Sequence, residues 1–400
     1  ENCGLFGSCP AETAYIDFFT IFIVRIKHFT TRTIMKKQLL TAAILCCLVI
    51  AGSTAAPKPA KKKPKIPVSR VQTHMDGYLG DRIDACIRVR VCSEDPDLLV
   101  APMRRQTETS LWQSEFWGKW TLGAIASYRY NKDPELLRKI EGGVESLLAA
   151  QQPDGYIGNY APEAQLTNWD VWGRKYTMLG LLAYYDLTGD KKALDGAVRL
   201  ADHLLTQIPA IRQIERTGIY RGMSSCSILE PIMLLYNRTL DEKYLDFARY
   251  IVDRMESADG PQLIAKALEG VPVSERFPLD DPSRGWFVWE NGQKAYEMMS
   301  CYDGLLELYK VTNDPRYLKA VEATVTSIIA DEINIAGSGS SFECFYKGKA
   351  LQTEPAYHTM ETCVTMTWMK LCYDLLRLTR NPLYADQIER SAYNALAASM

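Results

Sequence analysis

Two carboxylates and a thiol in the last sixty or so residues could do chemistry. Glu343 lies in the Gly/Ser-rich segment GSGSSFECF, and Glu361-Thr362-Cys363 follows just ahead of a long apolar helical stretch. A carboxyl group flanked by Phe342, Phe345 and Tyr346 is expected to have a raised pKa, which suits proton donation to a glycosidic oxygen. Sugar hydrolysis needs such an acid together with a second acidic or nucleophilic group. Glu361 and Cys363 would diverge by ~200° on a regular helix. They can converge only at a helix entry, where Thr362 is a fair cap residue and a thiol is expected to ionise more readily. A carboxylate beside a thiolate suits zinc, and Cys344 and His358 are the nearest further donors. The competing readings are an exposed loop glutamate and an ordinary helix entry.

Three Trp-x-x-Trp pairs add a possible binding surface: Trp117/Trp120, Trp169/Trp172 and Trp286/Trp289. Indole faces stack on the C–H faces of sugars, and a few polar groups then fix orientation. Asp170, Arg174, Glu290 and Gln293 lie close in sequence as hydroxyl partners. Trp117, Trp120, Trp169, Trp172, Trp289 and Gln293 are therefore candidate substrate contacts. Core packing is the alternative for each Trp pair.

The elements that must position these residues are helical and repeat. LAYYDLTGDKKALDGAVRLADHL from Leu182, MLLYNRTLDEKYLDFARYIVDRM from Met233, LELYKVTNDPRYLKAVEATVTSI from Leu306 and DLLRLTRNPLYADQIERSAYNAL from Asp374 share one outline. A more worn copy, ASYRYNKDPELLRKIEGGVESLL, starts at Ala126. In each, an apolar helix ends at Thr or Asn, a polar turn follows, and a second, amphipathic helix begins. Long loops rich in Trp, Gly and Pro separate the hairpins, which favours a closed toroid over an open solenoid. FECFYKGKALQ could form a small hairpin. The expected fold is all-α, an (α/α)6 toroid occupying residues 68–400.

Bulk properties narrow the function. The chain has 400 residues, 47% hydrophobic and 24% charged, enough for a large core. A net charge of −2 argues against nucleic acid as a partner. Residues 35–55 run in the order of a signal peptide: Met35-Lys36-Lys37, an apolar run from Leu39, then small residues. Residues 1–34 read as upstream sequence, and 56–67 as a Pro/Lys linker. A secreted or periplasmic protein with no membrane span after cleavage is expected. Seven Cys follow the leader, an odd number that leaves at least one thiol unpaired or metal-bound.

Several stretches resemble the beta-L-arabinofuranosidases of glycoside hydrolase family 127. They are FWGKW (Phe116 to Trp120), AAQQPDGYIGNY (Ala149 to Tyr160), LLYNRTLDEKYLDFARYIVD, GSGSSFECF and METCVTMTWMKLCYDLLRLTRNPLYADQIERSAYNAL. The resemblance implies a helical toroid followed by β-sandwich material, acting on an oligo- or polysaccharide with retention. It places the acid/base on Glu343 and two zinc ligands on Glu361 and Cys363. It also implies two adjacent cysteines downstream of ERSAYN that complete the zinc site and supply the nucleophile. With the sequence ending at Met400, a fragment without that nucleophile is expected. Three family histidines would fall near Gly173, Cys226 and Gln293, none of which is His. Two other classes stay open: a non-catalytic glycan-binding toroid, and a zinc-independent uronide hydrolase or epimerase of the same fold.

Overall fold

The computed structural model describes residues 73–277, 293–354 and 360–400. The expected leader and linker lie outside the described residues. Helices follow one another in pairs. The first pair is α1 (Gly77–Cys86, continued by a π turn Ile87–Val91) and α2 (Pro96–Arg105). Next come α3 (Ser114–Asn131) with α4 (Pro134–Ala149), and α5 (Asp170–Thr188) with α6 (Lys191–Gln207). Then follow α7 (Leu229–Thr239) with α8 (Glu242–Met255), α9 (Ala295–Thr312) with α10 (Pro315–Asp331), and α11 (Thr362–Thr379) with α12 (Pro382–Ser391). Among the described residues there are isolated β-bridges but no strand.

One turn chemistry closes every hairpin from α3 onward. The last helical residue is Thr or Asn, the next adopts the left-handed conformation, and an Asp or Asn then caps the second helix. Lys132, Gly189, Leu240, Asn313 and Arg380 are the left-handed residues. Asp133, Asp190, Asp241, Asp314 and Asn381 are the caps, each accepting a hydrogen bond from the backbone N–H two residues on. Thr188, Thr239, Thr312 and Thr379 accept from the cap residue's own N–H and donate back to the preceding turn of helix. The donors and acceptors orphaned at both helix ends are thus partly satisfied within a few residues. This is why the two helices must reverse direction there.

Burial separates an inner from an outer layer. Every residue of α5 from Asp170 to Leu182, and of α9 from Ala295 to Leu306, is buried. A helix covered on all sides belongs to the interior. By contrast α6 buries only Ala193, Gly196, Ala197, Leu200, Ala201, His203 and Leu204, a single stripe. The first helices of successive hairpins pack side by side, α3 on α5, α5 on α7, α7 on α9 and α9 on α11. The circle closes where Arg82 of α1 donates to the Met400 carbonyl oxygen at 3.1 Å. Helices α3 and α5 approach most tightly. A Cβ on Gly118 would lie 2.1 Å from the Tyr176 carbonyl oxygen, and one on Gly173 would lie 1.9 Å from Ser114 Oγ. Position 173 therefore has no room for a histidine.

The shared turn makes opposite predictions at two of its positions. Asp190→Ala removes a cap and should cost about 1 kcal/mol. Leu240 is 70% exposed and left-handed, so Leu240→Gly should instead stabilise by about 0.5 kcal/mol. Denaturant titration of both variants checks the signs.

Candidate active site

The N-terminal ends of α3, α5, α9 and α11 meet the loops between hairpins at one partly exposed recess. The loop before α11 is held rigidly. Ser341 and Cys344 exchange backbone hydrogen bonds of 3.0 and 2.9 Å, enclosing Phe342 and Glu343 at the tip of a two-residue turn. Both tip residues have positive φ, 50° and 60°, as a tight primed turn requires. The turn is stitched to the start of α9 by Ala295 N–H to the Glu343 carbonyl (2.8 Å) and Phe345 N–H to the Gln293 carbonyl (2.9 Å). The buried Glu332 carboxylate accepts from the N–H groups of Tyr346, Lys347 and Gly348 and anchors the returning strand of chain. Non-glycine residues held at φ > 0 store strain, which accumulates where geometry matters for function.

Four glutamates and two lysines meet in the recess. Lys294, fully buried at the N-cap of α9, bonds the Glu343 carboxylate and lies 3.8 Å from Glu297 Oε1. Glu343 itself is 38% exposed at the side chain, so it faces solvent. Burial alone would lower the Lys294 pKa, but Glu297 and Glu343 outweigh it and the net shift is upward. Glu297 is pushed up to about 7, mainly by burial, with Lys294 opposing. Lys119 pairs with Glu115 at 2.9 Å and is likewise kept protonated by that carboxylate in spite of its burial. The Glu361 carboxylate accepts from Glu343 N–H at 2.9 Å and from the Ser340 hydroxyl. Cys363 lies one residue inside α11. Its thiol is raised by burial and then by the Glu343 charge, with Lys119 and Lys294 pulling the other way.

Aromatic rings wall one side. Trp172 donates its indole N–H to Glu115 and packs edge-on against Tyr176 (5.3 Å) and Tyr296 (5.2 Å). The hydroxyls of Tyr176 and Tyr296 bond each other, and Lys119 sits over both rings at 4.9 and 4.7 Å. Trp169 continues the wall toward Trp112 and Tyr220.

The catalytic-domain model of the beta-L-arabinofuranosidase family GH127 matches residues 71–400. The chain belongs to this family. Its sequence is 22% identical over 308 residues to a non-reducing end beta-L-arabinofuranosidase of Bifidobacterium longum subsp. longum, covering 70% of this chain and 45% of the relative. A GH127 beta-L-arabinofuranosidase from Geobacillus stearothermophilus T6 superposes with a TM-score of 0.59 at 20% identity, over 81% of this chain and 55% of that one. A second GH127 beta-arabinofuranosidase gives a TM-score of 0.58 at 20% identity, covering 81% and 53%. These neighbours share the helical toroid expected from the hairpin repeat. The chain spans about half the length of these relatives.

Within this GH127 domain the residues expected from sequence divide clearly. Glu343, Glu361 and Cys363 come together. Trp169 and Trp172 belong to the aromatic wall, Trp172 fully buried behind it. Trp117 and Trp120 do not reach the recess through their indole N–H groups: these bond the Gly143 and Val91 carbonyls, and both side chains are buried. Gln293 is buried and exchanges hydrogen bonds with the Phe277 backbone, holding the chain ahead of α9. Asp170 and Arg174 pair at 2.6 Å, and Asp170 accepts from Tyr156 OH and Leu166 N–H, so they secure the QQPDGY loop. Trp286, Trp289, Glu290 and His358 lie outside the described residues. Glu361, not Thr362, is the N-cap of α11.

Two expected environments differ from those found. Glu343 is not in an apolar pocket, because its partner is an ammonium and Phe342 points out at 46% exposure. Cys363 is not activated by its helix entry, because desolvation and the neighbouring carboxylate outweigh the helix N-terminus. None of the Cys residues forms a disulfide among the described residues. Among the described residues no three His, Cys, Asp or Glu side chains are grouped to hold a metal. Glu115, Lys119, Lys294 and Glu297 were not singled out by the sequence. Their spacing, i,i+4 and i,i+3, looks like ordinary surface pairing, and only burial distinguishes them.

Burial of Glu297 has a measurable consequence. Between pH 4.5, its ordinary value, and about 7, the folded state holds one proton more than the unfolded chain. The contribution of Glu297 to stability therefore falls as pH rises across that window. Glu297→Gln should be more stable than the parent at pH 8, and the difference should vanish below about pH 4.5. Thermal midpoints of both proteins across this range test it.

Proposed function

We propose that this domain is the catalytic part of an exported glycoside hydrolase that releases a terminal β-L-arabinofuranose-type sugar from a glycan. The observation that carries the reading is the convergence of Glu343, Glu361 and Cys363 on one recess, with Glu343 presented on a strained, multiply anchored turn. The relatives' activity and the leader-like residues 35–55 support the substrate and the export.

In this reading the protonated Glu343 carboxyl gives its proton to the glycosidic oxygen as the anomeric carbon exchanges its bond to that oxygen for one to a nucleophilic thiolate, which the family resemblance places downstream of ERSAYN, and which water later displaces. The resulting carboxylate then takes a proton from the water that completes hydrolysis. Retention requires the same residue to act twice, first as acid and then as base. Lys294 holds the side chain at one position between the two steps and neutralises its anionic form. Glu361 fixes the backbone of the turn through the Glu343 N–H and Ser340. The aromatic wall orients the sugar and keeps bulk water from that side.

Zinc belongs to the proposal as a bound ion with Glu361 and Cys363 as two of its donors. Bound there, it would hold Cys363 as a thiolate against the burial and negative charge that otherwise keep it protonated. The steps assigned to Glu343 do not pass through it.

Two measurements, made on protein that carries the downstream cysteines, test the reading. Glu343→Gln should lose about 10²–10⁴-fold in kcat on an alkyl β-L-arabinofuranoside, and much less on a nitrophenyl glycoside, whose leaving group needs no proton. Equal losses on both would remove Glu343 from the acid role. The purified enzyme should contain one zinc that is lost in Cys363→Ser; zinc content unchanged by that substitution would refute the ligand assignment.

A further inference from the structure

A histidine ties the QQPDGY loop, which runs between α4 and α5, to both layers of the ring. His203 of α6 is buried, and its Nε2 lies 3.3 Å from Oδ2 of Asp154 in the loop. On the other side of the ring, Nδ1 lies 3.3 Å from Nη1 of Arg174 on the inner helix α5. A guanidinium can only donate, so Nδ1 is the unprotonated acceptor and Nε2–H donates to the Asp154 carboxylate. The neutral imidazole thus joins inner helix, outer helix and loop at one point.

Arg174 cannot make way for a second proton on that ring. It is fully buried, with Nη2 and Nε bonded to the Asp170 carboxylate at 2.6 and 3.3 Å and Nη1 donating to Gln207 at 2.7 Å. The Tyr156 ring lies 4.6 Å from the guanidinium and 5.5 Å from the imidazole. Other charged groups on α6 are turned elsewhere: Arg199 donates to the Gln152 and Pro153 carbonyls, and Asp202 faces Lys243 and Tyr244 of α8. Burial and the Arg174 charge oppose an imidazolium at 203, while Asp154 and Asp170 favour it. The opposing pair wins, so His203 takes up a proton less readily than a histidine in water. The attraction of Asp154 is weakened by its 63% exposure.

This loop supports the aromatic wall. Tyr156 OH donates to Asp170 at 2.8 Å and accepts from Tyr160 N–H, and Tyr160 OH accepts from Trp169 N–H at 3.0 Å. Within the loop, Gln152 N–H bonds the Tyr156 carbonyl, Gly155 N–H the Gln152 carbonyl, and Tyr156 N–H the Asp154 carboxylate. The loop lies close on α6, where a Cβ on Gly155 would come within 2.4 Å of the Arg199 carbonyl oxygen. Gln151 and Arg199 also hold it there, through an amide and a guanidinium. The histidine is the tie whose charge changes near neutral pH.

We propose that His203 is a pH-sensitive latch: neutral, it pins the QQPDGY loop to α5 and α6, and protonated, it leaves Arg174 and loosens the loop under the aromatic wall. Protonation turns Nδ1 from acceptor into donor, which breaks the bond to Arg174 and sets two cations 3.3 Å apart in a buried place. The guanidinium is held on both sides, so the imidazole must move, and Asp154 loses its tie to the ring. In the released loop the histidine regains its ordinary value near 6.5, above that of the latched form, so acid below that value favours release. The latch is a property of the fold and holds whether or not the recess cleaves glycans.

Hydrogen exchange at the amides of Gln152, Gly155 and Tyr156, corrected for the intrinsic rate at each pH, tests the latch in wild type, His203→Gln and Asp154→Asn. From about pH 7.5 to about pH 5 their protection should fall about tenfold in wild type, the order expected for one lost hydrogen bond to a charged group, while the amides of α9 keep theirs. A glutamine at 203 can accept from Arg174 and donate to Asp154 at either pH, so His203→Gln should keep its protection throughout. In Asp154→Asn the midpoint of the loss should move to lower pH, because a carboxylate that favours the imidazolium is gone. Constant protection in wild type, a loss shared with α9, an equal loss in His203→Gln, or an Asp154→Asn midpoint that stays or rises overturns the latch. Should His203→Gln not fold, wild type and Asp154→Asn decide.

Discussion

A buried ammonium between two carboxyl groups organises the mouth of the ring. Lys294 caps α9, bonds Glu343 on the loop before α11, and lies beside Glu297 one turn into α9. An isolated buried charge is too costly to persist, so each partner depends on the others being in place. Removing Lys294 would leave Glu297 buried beside an unneutralised Glu343. The strained turn at Phe342 and Glu343 would then lose its ionic anchor while keeping its backbone bonds and Glu361. The position of the proposed acid/base therefore follows from an electrostatic requirement of the interior.

The same requirement recurs one layer deeper. Lys370 of α11 bonds Glu230 of α7 at 2.8 Å and Asp303 of α9 at 2.6 Å, while Lys175 of α5 stacks on Trp172 at 4.4 Å. Burial pushes Asp303 up to about 7 and Lys175 down to about 8. Glu230 stays ionised because Lys370 and Lys175 overcome its desolvation. Each of these residues comes from a different inner helix, so the charges fix the relative register of helices that apolar packing alone would allow to slide. Closing a ring of hairpins needs such register control, and buried polar partners are one known means of supplying it.

Much of the fold was legible because its signals are local. The Thr-x-Asp and Thr-x-Asn turns encode their own hydrogen bonds, and the contrast between an apolar first helix and a striped second one gives the layer assignment. The ETC helix entry was legible for the same reason. What could not be read were long-range pairings. Glu115 and Lys119 in the FWGKW region look like a solvent pair, and nothing local shows that Trp172 and two tyrosines enclose them. The Trp pairs repeat in sequence but divide in space. Trp117 and Trp120 bond carbonyls behind the inner layer, while Trp169 joins the wall. The environment of Glu343 was misjudged because its neighbours in sequence are aromatic and its neighbour in space is a lysine forty-nine residues away.

The central claim is that Lys294 sets the geometry in which Glu343 works. Its most direct test is sugar release by Lys294→Met, with folding verified by circular dichroism. The account predicts a folded protein whose kcat falls about a hundredfold, as expected when a catalytic group is displaced by an ångström or so. A folded Lys294→Met enzyme with the wild-type rate would contradict it.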